Sequence, residues 1–149
     1  MTDETRRILP PDFDWVKERQ LCSPSIVIEK LRLQVQDDAE KRTALMTQAE
    51  KERMAFSMVS EGRRFTVQVE GKNNLYRGVT FGLTLAGITV HSAAYGNDLL
   101  YDATLTLSDD GECRLKVNDK EYDLWQFRKL VLQGIFFGPD VIYGKTGWA

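Results

Sequence analysis

An α+β fold with a long N-terminal helix, an antiparallel sheet of about six strands built from hairpins, and a C-terminal helix packed on one sheet face is predicted by three observations. Apolar residues from Val27 to Ala49 recur at spacings of three and four. Between Arg53 and Val117 they alternate every second residue in six short segments separated by turn residues. From Asp123 onward helical spacing returns with an unusually wide apolar arc. The reading divides the chain into an extended arm over 1–20, one α+β domain over 21–137, and a tail over 138–149.

The arm is polar up to Ile8 and Leu9 and then passes through Pro10-Pro11, which remove two backbone donors and hold the chain extended. Phe13, Trp15 and Val16 follow, and they are expected to clip the arm onto its own domain, with a partner anchor as the alternative. Ser23-Pro24 then reads as a helix start, because a serine hydroxyl can cap a free N–H and proline suits the first turn. Val27, Ile28, Leu31, Val35 and Ala39 form one face, and Leu45, Met46 and Ala49 continue it beyond the charged stretch Asp37 to Arg42. A single helix to Lys51 is expected, with any break near Asp37-Asp38. Leu31, Leu33 and Val35 also alternate like a strand, but no Gly or Pro punctuates residues 25–60.

At Met54 the period changes to two. Phe56 and Met58 open a strand, Glu61-Gly62 turns, and Phe65, Val67 and Val69 return it. After Gly71-Lys72-Asn73-Asn74, the run Val79, Phe81, Leu83 and Leu85 turns at Ala86-Gly87 into Ile88 and Val90. Tyr95-Gly96-Asn97-Asp98 precedes Leu99, Tyr101, Ala103, Leu105 and Leu107, and Asp109-Asp110-Gly111 leads back through Cys113, Leu115 and Val117. Short turns between amphipathic strands imply antiparallel order, with one covered and one wetted face.

Asp123 is placed to cap the last helix, with Leu124, Phe127, Val131 and Ile135 in one stripe and Trp125, Leu132 and Phe136 in a second beside it. So wide an arc is expected to be sunk against the sheet, ahead of presenting an exposed site. Six strands at ~4.8 Å span roughly 29 Å, whereas two helices at ~10 Å cover roughly 20 Å. The sheet must therefore curl, use the arm and tail as lids, leave a cavity, or pair with a partner.

At 149 residues the chain falls within the size of one domain that needs no staple. Its 20 basic and 22 acidic side chains are mixed, for a net charge of −2, which offers phosphate backbones no positive field; nucleic acid is not expected as a partner. No apolar run approaches the ~20 residues that span a bilayer, so no membrane partner is expected. Two cysteines, Cys22 and Cys113, and an N-terminus without an apolar core favour a reducing cytoplasm with both thiols free.

Chemical motifs are scarce. Gly144-Lys145-Thr146 resembles the end of a phosphate loop, but five residues separate Gly138 from Gly144 and no helix can follow Thr146, so no nucleotide cofactor is expected. Asp109-Asp110-Gly111-Glu112 lacks the downstream ligands of a calcium loop and reads as a turn. His91 is the only histidine and falls on the wetted face, which weakens any zinc or triad proposal. Asp98, Asp102, Tyr95 and Tyr101 cluster around one turn and could polarise a carbonyl if they lined a cavity.

Three functional readings follow. The first is a non-enzymatic interaction or accessory protein that binds a protein partner or itself through Trp125, Phe127, Phe136, Phe137 and Trp148, since aromatic side chains concentrate binding energy in a partner's pocket. The second is a cup for a small apolar ligand between sheet and helix, lined by Phe81, Leu83, Leu105 and Leu115. The third is an enzyme using Tyr101 and Asp102 in such a cavity; the paucity of acid-base partners leans away from it.

Overall fold

A computed structural model of the chain describes residues 9–93 and 97–138. In chain order these form α1 (Trp15–Leu21), α2 (Pro24–Ala44), α3 (Gln48–Arg53), β1 (Met54–Glu61), β2 (Arg64–Gly71), β3 (Tyr76–Leu83), β4 (Gly87–Ser92), β5 (Leu99–Leu107), β6 (Cys113–Val117), β7 (Lys120–Tyr122) and α4 (Leu124–Phe137). The strands make one antiparallel meander in the order β1 to β7, each bonded to its neighbour in sequence. The α+β class and its hairpins are as the alternation predicts.

A seventh strand is added to the expected six. Asn118 and Asp119 take φ of 50° and 67° and make a two-residue turn that returns Lys120 opposite Val117. Asn and Asp tolerate this left-handed conformation, so the turn has a residue-level cause, though β7 is too short to show a period of its own.

Two helical expectations are corrected. The arm does not stay extended to residue 20: the Asp14 carboxylate accepts the Lys17 N–H at 3.0 Å and starts α1 at Trp15. Nor does one helix run to Lys51. α2 passes unbroken through Asp37-Asp38 and ends at Ala44, and α3 starts afresh from a capping box. There the Glu50 N–H donates to Thr47 Oγ1 at 3.1 Å and the Thr47 N–H donates to Glu50 Oε1 at 3.0 Å, two helix-end donors satisfied reciprocally. The Thr47 amide, and then Arg42, hold the Glu50 carboxyl below its usual range.

α2 and α4 lie on the same sheet face. Arg128 on α4 reaches Gln34 and Asp38 on α2, and the Phe136 carbonyl accepts from Arg42, so both helices run in the same direction across the strands. Val27, Ile28, Leu31 and Val35 from α2 and Phe127, Val131 and Ile135 from α4 pack against Phe65, Val67, Phe81, Val90 and Leu115 from the sheet. α1 lies near β5 but buries none of its own residues. Trp15 and Val16 do not make that attachment, since both are exposed. Cys22 makes it. Its sulfur is bonded to that of Cys113 on β6, with Cα atoms 5.4 Å apart, so the expectation of two free thiols is corrected and the ground it gave for a reducing compartment is removed.

Arg114 ties the start of β6 to α4. Its guanidinium donates to both Asp110 oxygens at 2.7 and 2.9 Å and to Asp123 Oδ1 at 2.7 Å. The Arg114 hydrogen bond is the main reason the Asp110 carboxyl sits below its usual value. A carboxyl with a lowered folded pKa adds stability above its unfolded pKa and loses it as pH falls through the folded one. The difference in melting temperature between the wild type and Asp110→Asn is therefore expected to close as the pH drops from about 5 to about 2. A constant difference across that window would remove this ion pair from acid unfolding.

Candidate protein-docking groove

The apolar arc of α4 is wider than one sheet can cover, and the excess faces the furrow between α4 and α2. Phe127 and Phe136 point into the core: Phe127 lies edge-on to Phe81, and Phe136 edge-on to Phe56. Trp125 and Phe137 do not, being 55 % and 68 % exposed at opposite ends of the same helix. Of the predicted contact residues, these two are available to a partner, and Trp148 lies outside the described residues.

Between the two helices runs a hollow of about 520 Å³ whose walls include Leu45, Trp125, Leu132, Phe136 and Phe137. Leu45 is as telling as the aromatic rings. It is the first residue past the end of α2 and is 77 % exposed, a large aliphatic side chain left in water beside Phe137. Lys41, Arg42, Arg128, Lys129 and Asp38 also line the hollow.

These charges are used unequally. Arg128 is committed to Asp38 at 2.7 Å and to Gln34 at 2.9 Å, which fixes the spacing of the two helices. Arg42 is buried; it donates to the Phe136 carbonyl at 2.8 Å, reaches Glu50 at 3.3 Å, and stacks against Phe56 and Phe137. Lys41 pairs with Asp37 only across an exposed contact, and Lys129 has no carboxylate partner among the described residues. The groove thus presents an apolar floor with Lys129 open to an incoming negative charge, and with Lys41 held by Asp37 at the exposed rim.

Comparison of the chain with protein-family models, with curated sequences and with solved structures finds no match in any of the three. What the groove does rests on its own chemistry.

The other predicted residues are dispersed. Phe81, Leu105 and Leu115 are buried in the core, Phe81 stacked on Phe65 at 4.7 Å, and Leu83 packs at its margin. None of the four lines the groove. Tyr101 and Asp102 are neighbours on β5 and so project from opposite faces, Tyr101 toward the core and Asp102 into solvent. Burial, and then Tyr122, pushes the Tyr101 phenol up, away from the range of a base at neutral pH. Tyr95 and Gly144-Lys145-Thr146 lie outside the described residues. His91 sits half-buried opposite Thr80, and Asp109 to Glu112 form the β5–β6 turn. Among the described residues no group of His, Cys, Asp and Glu could hold a metal ion, and no helix is long and apolar enough to cross a membrane.

Sequence reasoning missed the α2 side of the groove. Arg42 falls three residues after Ala39 and seven after Val35, on the same stripe, so its burial had a positional signal that its charge concealed. Leu45 had none: its spacing continues the apolar face, and only the end of α2 at Ala44 leaves it exposed.

Proposed function

We propose that this chain is a non-enzymatic accessory protein that binds an amphipathic, acidic segment of another protein in the furrow between α2 and α4. The observation that carries the reading is the exposure of Trp125, Phe137 and Leu45 around one hollow, where large apolar side chains would otherwise remain in water. An apolar stripe on the incoming segment covers these groups, and carboxylates beside the stripe meet Lys129. The furrow is long and shared by two helices, a shape suited to a helical segment laid along it. The disulfide supports an oxidising compartment as the setting, in place of the cytoplasm expected from the sequence.

A synthetic peptide with Leu and Phe on one helical face and Glu on the flanks tests the reading. Its titration is expected to move the backbone amide resonances of Leu45, Trp125, Lys129 and Phe137 together. Trp125→Ala is expected to weaken binding by ~2 kcal/mol, roughly thirtyfold, as for an aromatic anchor. Lys129→Glu, or replacing the peptide's Glu by Gln, is expected to weaken it and to flatten its dependence on salt. Resonances that move elsewhere, or none that move at millimolar peptide, would dismiss the groove.

A further inference from the structure

The two edges of the sheet are treated differently. β7 is three residues long and carries Lys120 and Glu121, so it offers little backbone to pair with. β1 is eight residues long, Met-Ala-Phe-Ser-Met-Val-Ser-Glu, with no proline, no basic residue and no bulge in its register with β2. Natural sheets usually blunt such an edge.

Which backbone groups it leaves open follows from the register. Glu61 pairs with Arg64 across a two-residue turn, the Lys72 N–H bonds the Arg53 carbonyl, and the Gly71 N–H turns the other way to Leu75. Residues 55, 57, 59 and 61 therefore bond β2, while Phe56, Met58 and Ser60 aim their N–H and C=O groups outward. No described hydrogen bond outside the β1–β2 ladder reaches those three residues.

Beside this edge lies a second hollow, of about 550 Å³, formed by Phe56, Met58 and Ser60 with Ala39, Glu40, Thr43 and Lys51. Glu40 and Lys51 have opposite charge, and neither has an ion-pair partner among the described residues.

We infer that β1 is a dimer interface: two copies of the chain pair antiparallel along β1 and join their sheets into one. A two-fold axis at Met58 sets Met58 opposite Met58 of the second copy and Phe56 opposite Ser60, so the outward groups of both strands satisfy one another. On the opposite face the same register sets Ser57 against Val59, small and uncharged on both sides. The strand is thus complementary to itself without a like-charge contact. The two hollows come together across the axis, and each supplies both a carboxylate and an ammonium to the other. This interface stands apart from the α2–α4 furrow and does not depend on it.

Sedimentation of the full chain at about 1 to 300 μM, with hydrogen exchange on the same samples, tests this. Twice the monomer mass is expected, with slowed exchange at the Phe56, Met58 and Ser60 amides at high concentration and fast exchange on dilution. Ser57→Lys/Val59→Lys sets like charges opposite each other across the axis and is expected to raise the dissociation constant at least tenfold. Ser60→Pro removes an amide that bonds nothing within the chain and is expected to do the same while leaving the melting temperature of the monomer within a few degrees. A monomer across the whole range, a dimer whose three amides stay unprotected, or a dimer indifferent to both variants would each overturn the inference.

Discussion

Replacing both cysteines, as Cys22→Ala/Cys113→Ala, is expected to lower the unfolding free energy by about 2–4 kcal/mol. The bond closes a loop between positions 91 residues apart, so opening it frees a large part of the unfolded chain. Alanine is the substitution of choice because Cys22 is fully buried and alanine adds no polar group there. Urea unfolding of the oxidised wild type, the reduced wild type and the double variant checks the size: the last two should share a midpoint below the first. A reduced protein as stable as the oxidised one would mean that packing at the junction of α1 and α2 holds without the bond. The expected loss is a large part of the ~5–15 kcal/mol that a domain of this size usually has. Thiol labelling in denaturant of protein taken unreduced from its own cells should find neither cysteine reactive, and both after reduction.

The bond also bears on the groove. It holds the start of α2 to β6, while Arg128 holds its middle to α4 and Arg42 its end. Loss of the first attachment leaves the other two to set the distance between the helices. Reduction is therefore expected to act on peptide affinity less than on stability.

The course of the fold was legible wherever one face of an element is buried and the other wet. From Phe65 to Val117 the alternation marks each strand, because a shift of one residue would turn Val67 or Leu115 into water. Helix ends were harder to place. The break after Ala44 depends on Thr47 and Glu50 capping each other, a local exchange of hydrogen bonds that leaves the apolar spacing of Leu45, Met46 and Ala49 intact. The disulfide could not be read at all, since it depends on how α1 and β6 meet in space. The site was half legible: Trp125 and Phe137 stood out as aromatic residues on a crowded helix, but Phe127 and Phe136 on the same helix are core. Only the position of the sheet separates the two pairs.

Arg77 is where charge most misleads. Its place two residues before Val79 puts it on the covered face, and it is 1 % exposed there, with Nη2 3.0 Å and Nε 3.3 Å from the Ile135 carbonyl. The last turn of a helix leaves carbonyls without intrahelical donors, and their partial negative charge suits a guanidinium. Arg77→Met keeps most of the volume but removes these donors, so the loss is that of a charge-assisted hydrogen bond plus a stranded carbonyl, about 2–4 kcal/mol. Arg77→Lys retains the charge with a different donor geometry and is expected to fall between Met and the wild type. Denaturant midpoints of the three proteins give the order. Hydrogen exchange in the last turn of α4 then separates a local cause from a global one, because loss of this cap should speed those amides more than amides in β2. Since that turn carries Phe137, Arg77→Met should also weaken peptide binding in the furrow, although Arg77 lines no part of it. If stability falls while both the exchange pattern and the affinity stay as in the wild type, Arg77 serves the core alone, and Arg42 is left to fix the end of the groove.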